Sequence, residues 1–200
     1  MSFKKVFRAI SELLLLPLQI FLPEPLLKRF RLKNLKDIRH EIVLQNCRGR
    51  LLDIGCGKNE LINKYGNGIG VDIKQWGAVD YVCDPSSLPF EDKSFDTIVF
   101  VASINHIINR KAVLFEAKRC LNDRGQILIT MINPFIGWCC HKIEWINWDL
   151  EGKGLKKGEL PGMSKEMIEN LLQETGFCLK RYQKFLCGLN NLYVAEKYDK

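Results

Sequence analysis

One stretch constrains this chain more than any other: Leu51-Leu52-Asp53-Ile54-Gly55-Cys56-Gly57, a short apolar run that stops in a turn where two glycines flank one residue. Such a run, bounded by glycine, reads as a strand buried on both faces, as in a parallel sheet covered by helices. Glycine at the turn lets backbone approach a ligand more closely than any side chain allows. The same pattern also opens dinucleotide sites, so the strands that follow must discriminate. Ile69 to Ile73 reads as a second strand ending in Asp72, nineteen residues beyond Asp53. A carboxylate there is placed to take both ribose hydroxyls of a nucleoside. Val79 to Cys83 reads as a third strand with Asp84 at its end, placed to accept from an adenine amino group. Three successive strands bring Asp and Gly to one sheet edge, where open α/β proteins bind ligands.

Further motifs follow in order: Leu88-Pro89-Phe90, then Ser94-Phe95-Asp96 ahead of the strand Thr97 to Val101, Asn105-His106 after it, and Arg119, Leu121 and Gly125 ahead of the strand Gln126 to Thr130. With the Asp53 to Gly57 turn, Asp72 and Asp84, this series resembles the class I S-adenosylmethionine-dependent methyltransferases, and the quinone-methyltransferase-like (type 11) subgroup above all. The resemblance is close over about residues 50 to 132 and looser beyond. It implies an α/β fold, a Rossmann-like, doubly wound, mostly parallel seven-stranded sheet with an antiparallel C-terminal edge strand, and S-adenosyl-L-methionine as cofactor. By the same resemblance Gly55, Cys56 and Gly57 lie against the methionyl part, with Asp53 in support. Asp72 and Ile73 hold the ribose, Asp84, Pro85 and Ser86 the adenine, and Ala102 with Ser103 closes the pocket near the methyl group.

Where the family often has a third small residue this chain has Lys58-Asn59-Glu60. Glu60, a negative charge in the first helical turn, would repel a pyrophosphate and argues against a nicotinamide dinucleotide. S-adenosylmethionine has no phosphate to repel.

Asn105 and His106 fall at the sheet's carboxyl edge. His106 is the candidate catalytic residue, a general base whose ordinary pKa of roughly 6.5 suits an acceptor hydroxyl; a histidine that only hydrogen-bonds a loop is the plainer reading. Residues 133 to 162 hold three of the four tryptophans and many turn formers. They read as a lid-like insertion over an apolar substrate, as a membrane contact, or as rings stapling a loop to the sheet. Ser164 caps a helix over Lys165 to Glu174, and Phe177 to Phe185 with Leu192 to Glu196 read as a closing hairpin.

The net charge of +7 is not spread evenly: residues 1 to 50 carry eleven Lys/Arg against four Asp/Glu, and the remainder nineteen of each. In the same segment Phe3, Val6, Phe7, Ile10, Leu13, Leu14 and Leu18 recur at helical intervals. The densest apolar run, Leu13 to Leu22, is half the roughly twenty residues a membrane span needs. No small-residue cleavage pattern follows it. Bracketed by Lys4, Lys5 and Arg8 on one side and Lys28 to Lys36 on the other, residues 1–33 read as an amphipathic basic extension. Residues 3–33 then touch the cytoplasmic face of a membrane; packing on the chain's own domain or on a second subunit is the alternative. A helix capped by Asn34 and running to about Asn46 opens the catalytic domain, residues 34–200.

Eight cysteines show no C-x-x-C pair or zinc-type spacing, so no disulfide framework or metal site is read from them. The partner expected is a small or lipid-like methyl acceptor. A membrane-bound scaffold of the same fold without turnover is a second reading. A nucleic-acid methyltransferase is a third and weaker one, since no N/D-P-P-[YF] tetrapeptide is present and Asn133-Pro134-Phe135 only echoes it.

Overall fold

The computed structural model describes Leu15, residues 24–142 and residues 155–198. The apolar stripe Phe3 to Leu18 and the centre of the tryptophan window, residues 143–154, lie outside the described residues.

Strand β1 (Leu51–Ile54) is followed by β2 (Gly68–Asp72), β3 (Tyr81–Val82), β4 (Phe95–Val101), β5 (Leu121–Ile132), β6 (Phe177–Phe185) and β7 (Asn190–Lys197). They form one sheet in the order β3-β2-β1-β4-β5-β7-β6. β1 to β5 pair in parallel, while β7 runs antiparallel between β5 and β6. A Rossmann-like α/β fold results. The helices are α1 (Glu24–Arg29), α2 (Leu35–Leu44), α3 (Glu60–Tyr65), α4 (Arg110–Cys120), α5 (Pro134–Lys142) and α6 (Lys165–Glu174).

The two faces of the sheet explain why its central strands lack polar alternation. Successive side chains point to opposite faces, and both faces are covered. Leu52, Ile54, Ile98, Ile127 and Ile129 pack with Val113 and Leu114 of α4 and Ile168 and Leu172 of α6. Leu51, Val99, Leu128 and Val194 pack with Leu35 and Val43 of α2 and Leu61 and Ile62 of α3. Every residue of β1 is therefore buried, Asp53 included.

Local chemistry sets the helix starts. The Asn34 side chain accepts from the Asp37 N–H at 2.7 Å, and Ser164 Oγ accepts from the Met167 N–H at 3.2 Å, each satisfying a donor that the first turn leaves without a partner. β3 is shorter than the Val79 to Cys83 run suggests. The Asp80 carboxylate accepts the Gly70 N–H at 2.8 Å and Asn59 Nδ2 at 2.9 Å, so a side chain fills the place a backbone carbonyl would hold in a longer ladder.

Arg119 on α4 organises the Leu88 to Asp92 segment. Its guanidinium donates to both carboxylate oxygens of Glu116, to Asp92 and to the Leu88 and Phe90 carbonyls. Glu116 accepts the Leu88 N–H at 2.8 Å in turn. The fork of Arg119 holds the Glu116 carboxyl below its ordinary range. Arg119→Met keeps the aliphatic stem but leaves those acceptors unpaired; we expect a loss of about 2–3 kcal/mol in urea unfolding at pH near 7.

Candidate active site

The site begins where β1 ends. Gly55 has φ +78° and Gly57 φ +54°, both in the left-handed region that favours glycine. The N–H groups of Gly55 and Cys56 both reach the Val71 carbonyl, at 2.9 and 3.1 Å, which folds the chain sharply over the tip of β2. A Cβ on Gly55 would lie 2.5 Å from Ser103 Cβ, whereas one on Gly57 would stand in open space. The first glycine is thus demanded by packing and the second by backbone conformation.

Asp72, at the tip of β2, is oriented by three donors. Oδ2 accepts the Gly57 N–H at 3.0 Å; Oδ1 accepts the Trp76 indole N–H at 3.1 Å and the Lys74 N–H at 3.2 Å. One oxygen retains room for a hydroxyl, while the other has both lone pairs engaged. Bidentate binding of a ribose would therefore require Trp76 or the Lys74 backbone to give way. Asp84 is exposed, and its Oδ1 accepts both the N–H and the hydroxyl of Ser86, at 2.8 and 2.7 Å. Those two bonds, the backbone one first, hold its pKa down.

On the other side of the crevice β4 is followed by Ala102, whose φ of +52° turns the chain. Its N–H donates to Thr130 O and Oγ1, each at 3.1 Å. Ser103 Oγ donates to the Ile54 carbonyl at 2.6 Å. A single-turn 3-10 helix, Ile104–His106, follows and carries His106 to the rim. His106 Nδ1 lies 3.3 Å from Glu159 Oε2.

Between these walls lies a cavity of about 520 Å³, within the usual range for a small-molecule site, roughly 300–1,000 Å³. Of the residues singled out in the sequence, Gly55, Gly57, Asp72, Ile73, Asp84, Pro85, Ala102, Ser103 and His106 line it. Asp53, Cys56 and Ser86 do not. Asp53 is buried below the glycine turn and its Oδ1 has no hydrogen-bond partner. The Cys56 thiol packs toward β2, near Gly70, where burial pushes its pKa up. Ser86 caps Asp84 instead of facing the cavity. Trp76, Lys156 and Glu159 also line the wall; Trp76 stands in a loop without periodicity and was not singled out, while Lys156 and Glu159 fall in the 133 to 162 window read as an insertion, where the sequence did not single out either residue.

Two other hollows, of about 560 and 610 Å³, lie around His40 and Lys64 and around Arg48 and Arg124. Both include surface charges already in ion pairs, Lys64 with Asp37 and Arg48 with Glu196, and neither includes the glycine turn or Asp72.

The residues present fit S-adenosylmethionine better than a phosphate ligand. Bare backbone at Gly57, an oriented carboxylate at Asp72 and apolar Ile73, Val101 and Ile107 form the wall. The first turn of α3 carries Glu60, paired with Lys36 at 2.7 Å, where a pyrophosphate site would need an anion-accepting helix end.

Known proteins share this family and fold. The profile of a methyltransferase-domain family matches residues 27–180. The uncharacterized protein MJ1252 of Methanocaldococcus jannaschii is 30% identical over 143 residues, covering 65% of this chain and 57% of its own. The ubiquinone/menaquinone biosynthesis C-methyltransferase UbiE of Hahella chejuensis is 21% identical over 171 residues, 78% of this chain and 65% of that one. The chain spans between about half and two thirds of the length of the curated relatives it matches. Among solved structures, a SAM-dependent methyltransferase of Thermotoga maritima superposes with a TM-score of 0.63 at 18% identity, covering 82% of this chain and 89% of that one. The 1,6-didemethyltoxoflavin-N1-methyltransferase of Burkholderia thailandensis, which holds 1,6-didemethyltoxoflavin and S-adenosylhomocysteine, superposes at 0.58 with 17% identity, covering 82% of this chain and 76% of that one.

Asp53 gives the site a measurable electrostatic signature. Burial first, and the charge of Asp72 second, push its carboxyl up to about 7 from the ordinary 3.8. The folded chain then holds a proton that the unfolded chain releases, so the contribution present below pH 3.8 is lost as pH rises toward 7. Relative to Asp53→Asn, the wild type should lose stability across that window and level off above it. Urea midpoints measured from pH about 4 to 8 check this; a parallel pair of curves would remove Asp53 as the buried titrating group.

Proposed function

The chain belongs to the class I S-adenosylmethionine-dependent methyltransferases, and on that premise we propose that the cavity at the carboxyl ends of β1, β2 and β4 is where it transfers a methyl group to a small or amphiphilic acceptor. When bound, S-adenosylmethionine supplies a methyl carbon activated by its sulfonium sulfur. The observation that carries the reading is the convergence of the Gly55 to Gly57 backbone, the oriented Asp72 and the rim residue His106 on one cavity.

The chain's own residues would divide the work. The glycine turn admits the methionyl part without steric conflict, and Asp72 takes a ribose hydroxyl. Asp84 and Pro85 bound the adenine end, with Ile73 packing beside them. Asp53, Cys56 and Ser86 act from behind, by supporting the turn and the Asp84 loop. Ser103 fixes the β4 tip against β1. Alignment of this kind, with water kept out, can lower a barrier by roughly 7–11 kcal/mol, which asks little of acid or base groups beyond His106.

An amphiphilic acceptor is supported by apolar Val101, Ile107 and Ile108 on the cavity wall. Contact with an anionic membrane surface is supported by exposed Leu26 and Phe30 beside Arg29, Arg31 and Lys33, and by the apolar, basic character of residues 1–23. Among the described residues no helix is long and apolar enough to cross a membrane. Residues 1–33 would thus lie on the surface, and residues 34–200 would carry the chemistry.

Isothermal calorimetry with S-adenosylhomocysteine tests the main reading. The wild type should bind, Asp72→Ala should bind on the order of 10²-fold more weakly, as loss of a charge-assisted bond predicts, and His106→Ala should bind as the wild type does. A wild type that does not bind would favour a scaffold of this fold without turnover. For the membrane contact, removing residues 1–23 spares α1 and buried Leu27. Cosedimentation with vesicles rich in phosphatidylserine should be lost on that truncation; unchanged sedimentation would refute the contact.

A further inference from the structure

His106 does not stand alone at the rim. Its Nδ1 lies 3.3 Å from Glu159 Oε2, and the two side chains are 33% and 13% exposed, so their contact is largely sheltered from water. A carboxylate only accepts, hence Nδ1 donates and the lone pair of the neutral ring resides on Nε2. Burial alone would push the Glu159 carboxyl up, but the Lys156 N–H and His106 outweigh it and hold its pKa below the ordinary value.

The geometry around the pair is fixed from both ends. Glu159 Oε2 also accepts the Lys156 N–H at 3.2 Å, and the Glu159 N–H closes the turn onto the Lys156 carbonyl at 3.0 Å. That turn is fastened to the 3-10 helix bearing His106: the Leu160 N–H donates to Asn105 O at 2.9 Å, and Asn105 Nδ2 donates to Leu160 O at 3.0 Å. Arg110 spans both pieces, donating to Asn105 O at 2.7 Å and to Gly158 O at 3.0 Å. Histidine and carboxylate come from positions 53 residues apart, yet these bonds tie their segments together.

We propose that Glu159 is a positioning residue that holds His106 in its Nδ1–H tautomer, and that the methyl acceptor is accordingly one that must lose a proton from a hydroxyl or an N–H. The inference rests on the methyl-transfer reading above. In the step, the acceptor oxygen or nitrogen forms its bond to the methyl carbon while the carbon–sulfur electron pair returns to sulfur. The acceptor's O–H or N–H bond breaks, its electron pair stays on the heteroatom, and the proton passes to Nε2. The Glu159 carboxylate then faces the imidazolium so formed, and solvent takes the proton afterwards.

Ring nitrogen NMR on the full chain, saturated with S-adenosylhomocysteine at a pH where the imidazoles are neutral, tests the assignment. The sequence has three histidines, and a His106→Gln spectrum identifies the resonance. The wild type should show His106 protonated on Nδ1; Glu159→Gln, whose amide oxygen still accepts, should keep that form, and Glu159→Ala should move to the Nε2–H form of an unconstrained imidazole. With a panel comprising a phenol, an alcohol and an amine, Glu159→Ala should lower kcat on the order of 10²-fold with little change in KM, and the His106→Ala/Glu159→Ala double variant should lose no more than His106→Ala alone. An Nε2–H wild type overturns the proposal whether or not the variants fold, as do multiplicative losses in the double variant. Failure of the wild type to bind S-adenosylhomocysteine would instead strike the methyl-transfer reading itself.

Discussion

The bond from the Gly57 N–H to Asp72 Oδ2, 3.0 Å long, is the constraint from which the rest of the site follows. It ties the turn after β1 to the tip of β2, and it forms only because Gly57 adopts a φ of +54°. With the turn drawn over β2, the space above β1 and β4 is left open. That is also the point at which the strand order reverses direction, β2 and β3 building outward on one side of β1 and β4 and β5 on the other. A crevice at the switch point of a parallel sheet is a consequence of topology; its lining is a consequence of which residues end the strands.

Those residues were legible to different degrees, for physical reasons that can be named. Strand tips were readable because β1 and β2 must be apolar on both faces and then stop at polar residues, which leaves Gly55, Gly57, Asp72 and Asp84 exposed to inspection in the chain itself. Asn34 and Ser164 were readable because a capping side chain acts within three residues of its own position. Orientation was not readable. Cys56 sits between two cavity glycines but turns its thiol toward Gly70, on the neighbouring strand, and Ser86 turns onto Asp84 within its own motif instead of toward the cavity. β3 illustrates the same limit. A run of strand-like residues shortens to two once Asp80 supplies its carboxylate to Gly70 and Asn59.

Carboxylates and amines share this edge: Asp72, Asp84 and Glu159 line the cavity beside Lys74 and Lys156, while Asp80, just before β3, and Glu60, at the start of α3, are paired with Asn59 and Lys36. Burial keeps Asp53 from ionising easily, and the charge of Asp72 adds to that resistance. The departure at Lys58-Asn59-Glu60 has a structural use: Asn59, buried with φ +60°, donates its amide to Ala78 and Asp80 to brace the loop under the cavity, a task a third glycine has no side chain to perform.

The two walls of the cavity differ in how they are held. The β1 and β2 wall is part of a sheet buried on both faces, so its atoms are fixed by the packed core. The wall bearing His106 and Glu159 is anchored by Ile104 in the core, with Ile107 and Leu160 packed against it, and is tied together by the hydrogen bonds of Asn105 and Arg110 to the Gly158 to Leu160 backbone. Hydrogen bonds between loops hold direction well and exchange with water more readily than a core repacks. On the proposed reading the strand wall would face the nucleoside, a fixed shape that a rigid surface can match, and the wall bearing His106 and Glu159 would face the acceptor, which must enter and leave beside it.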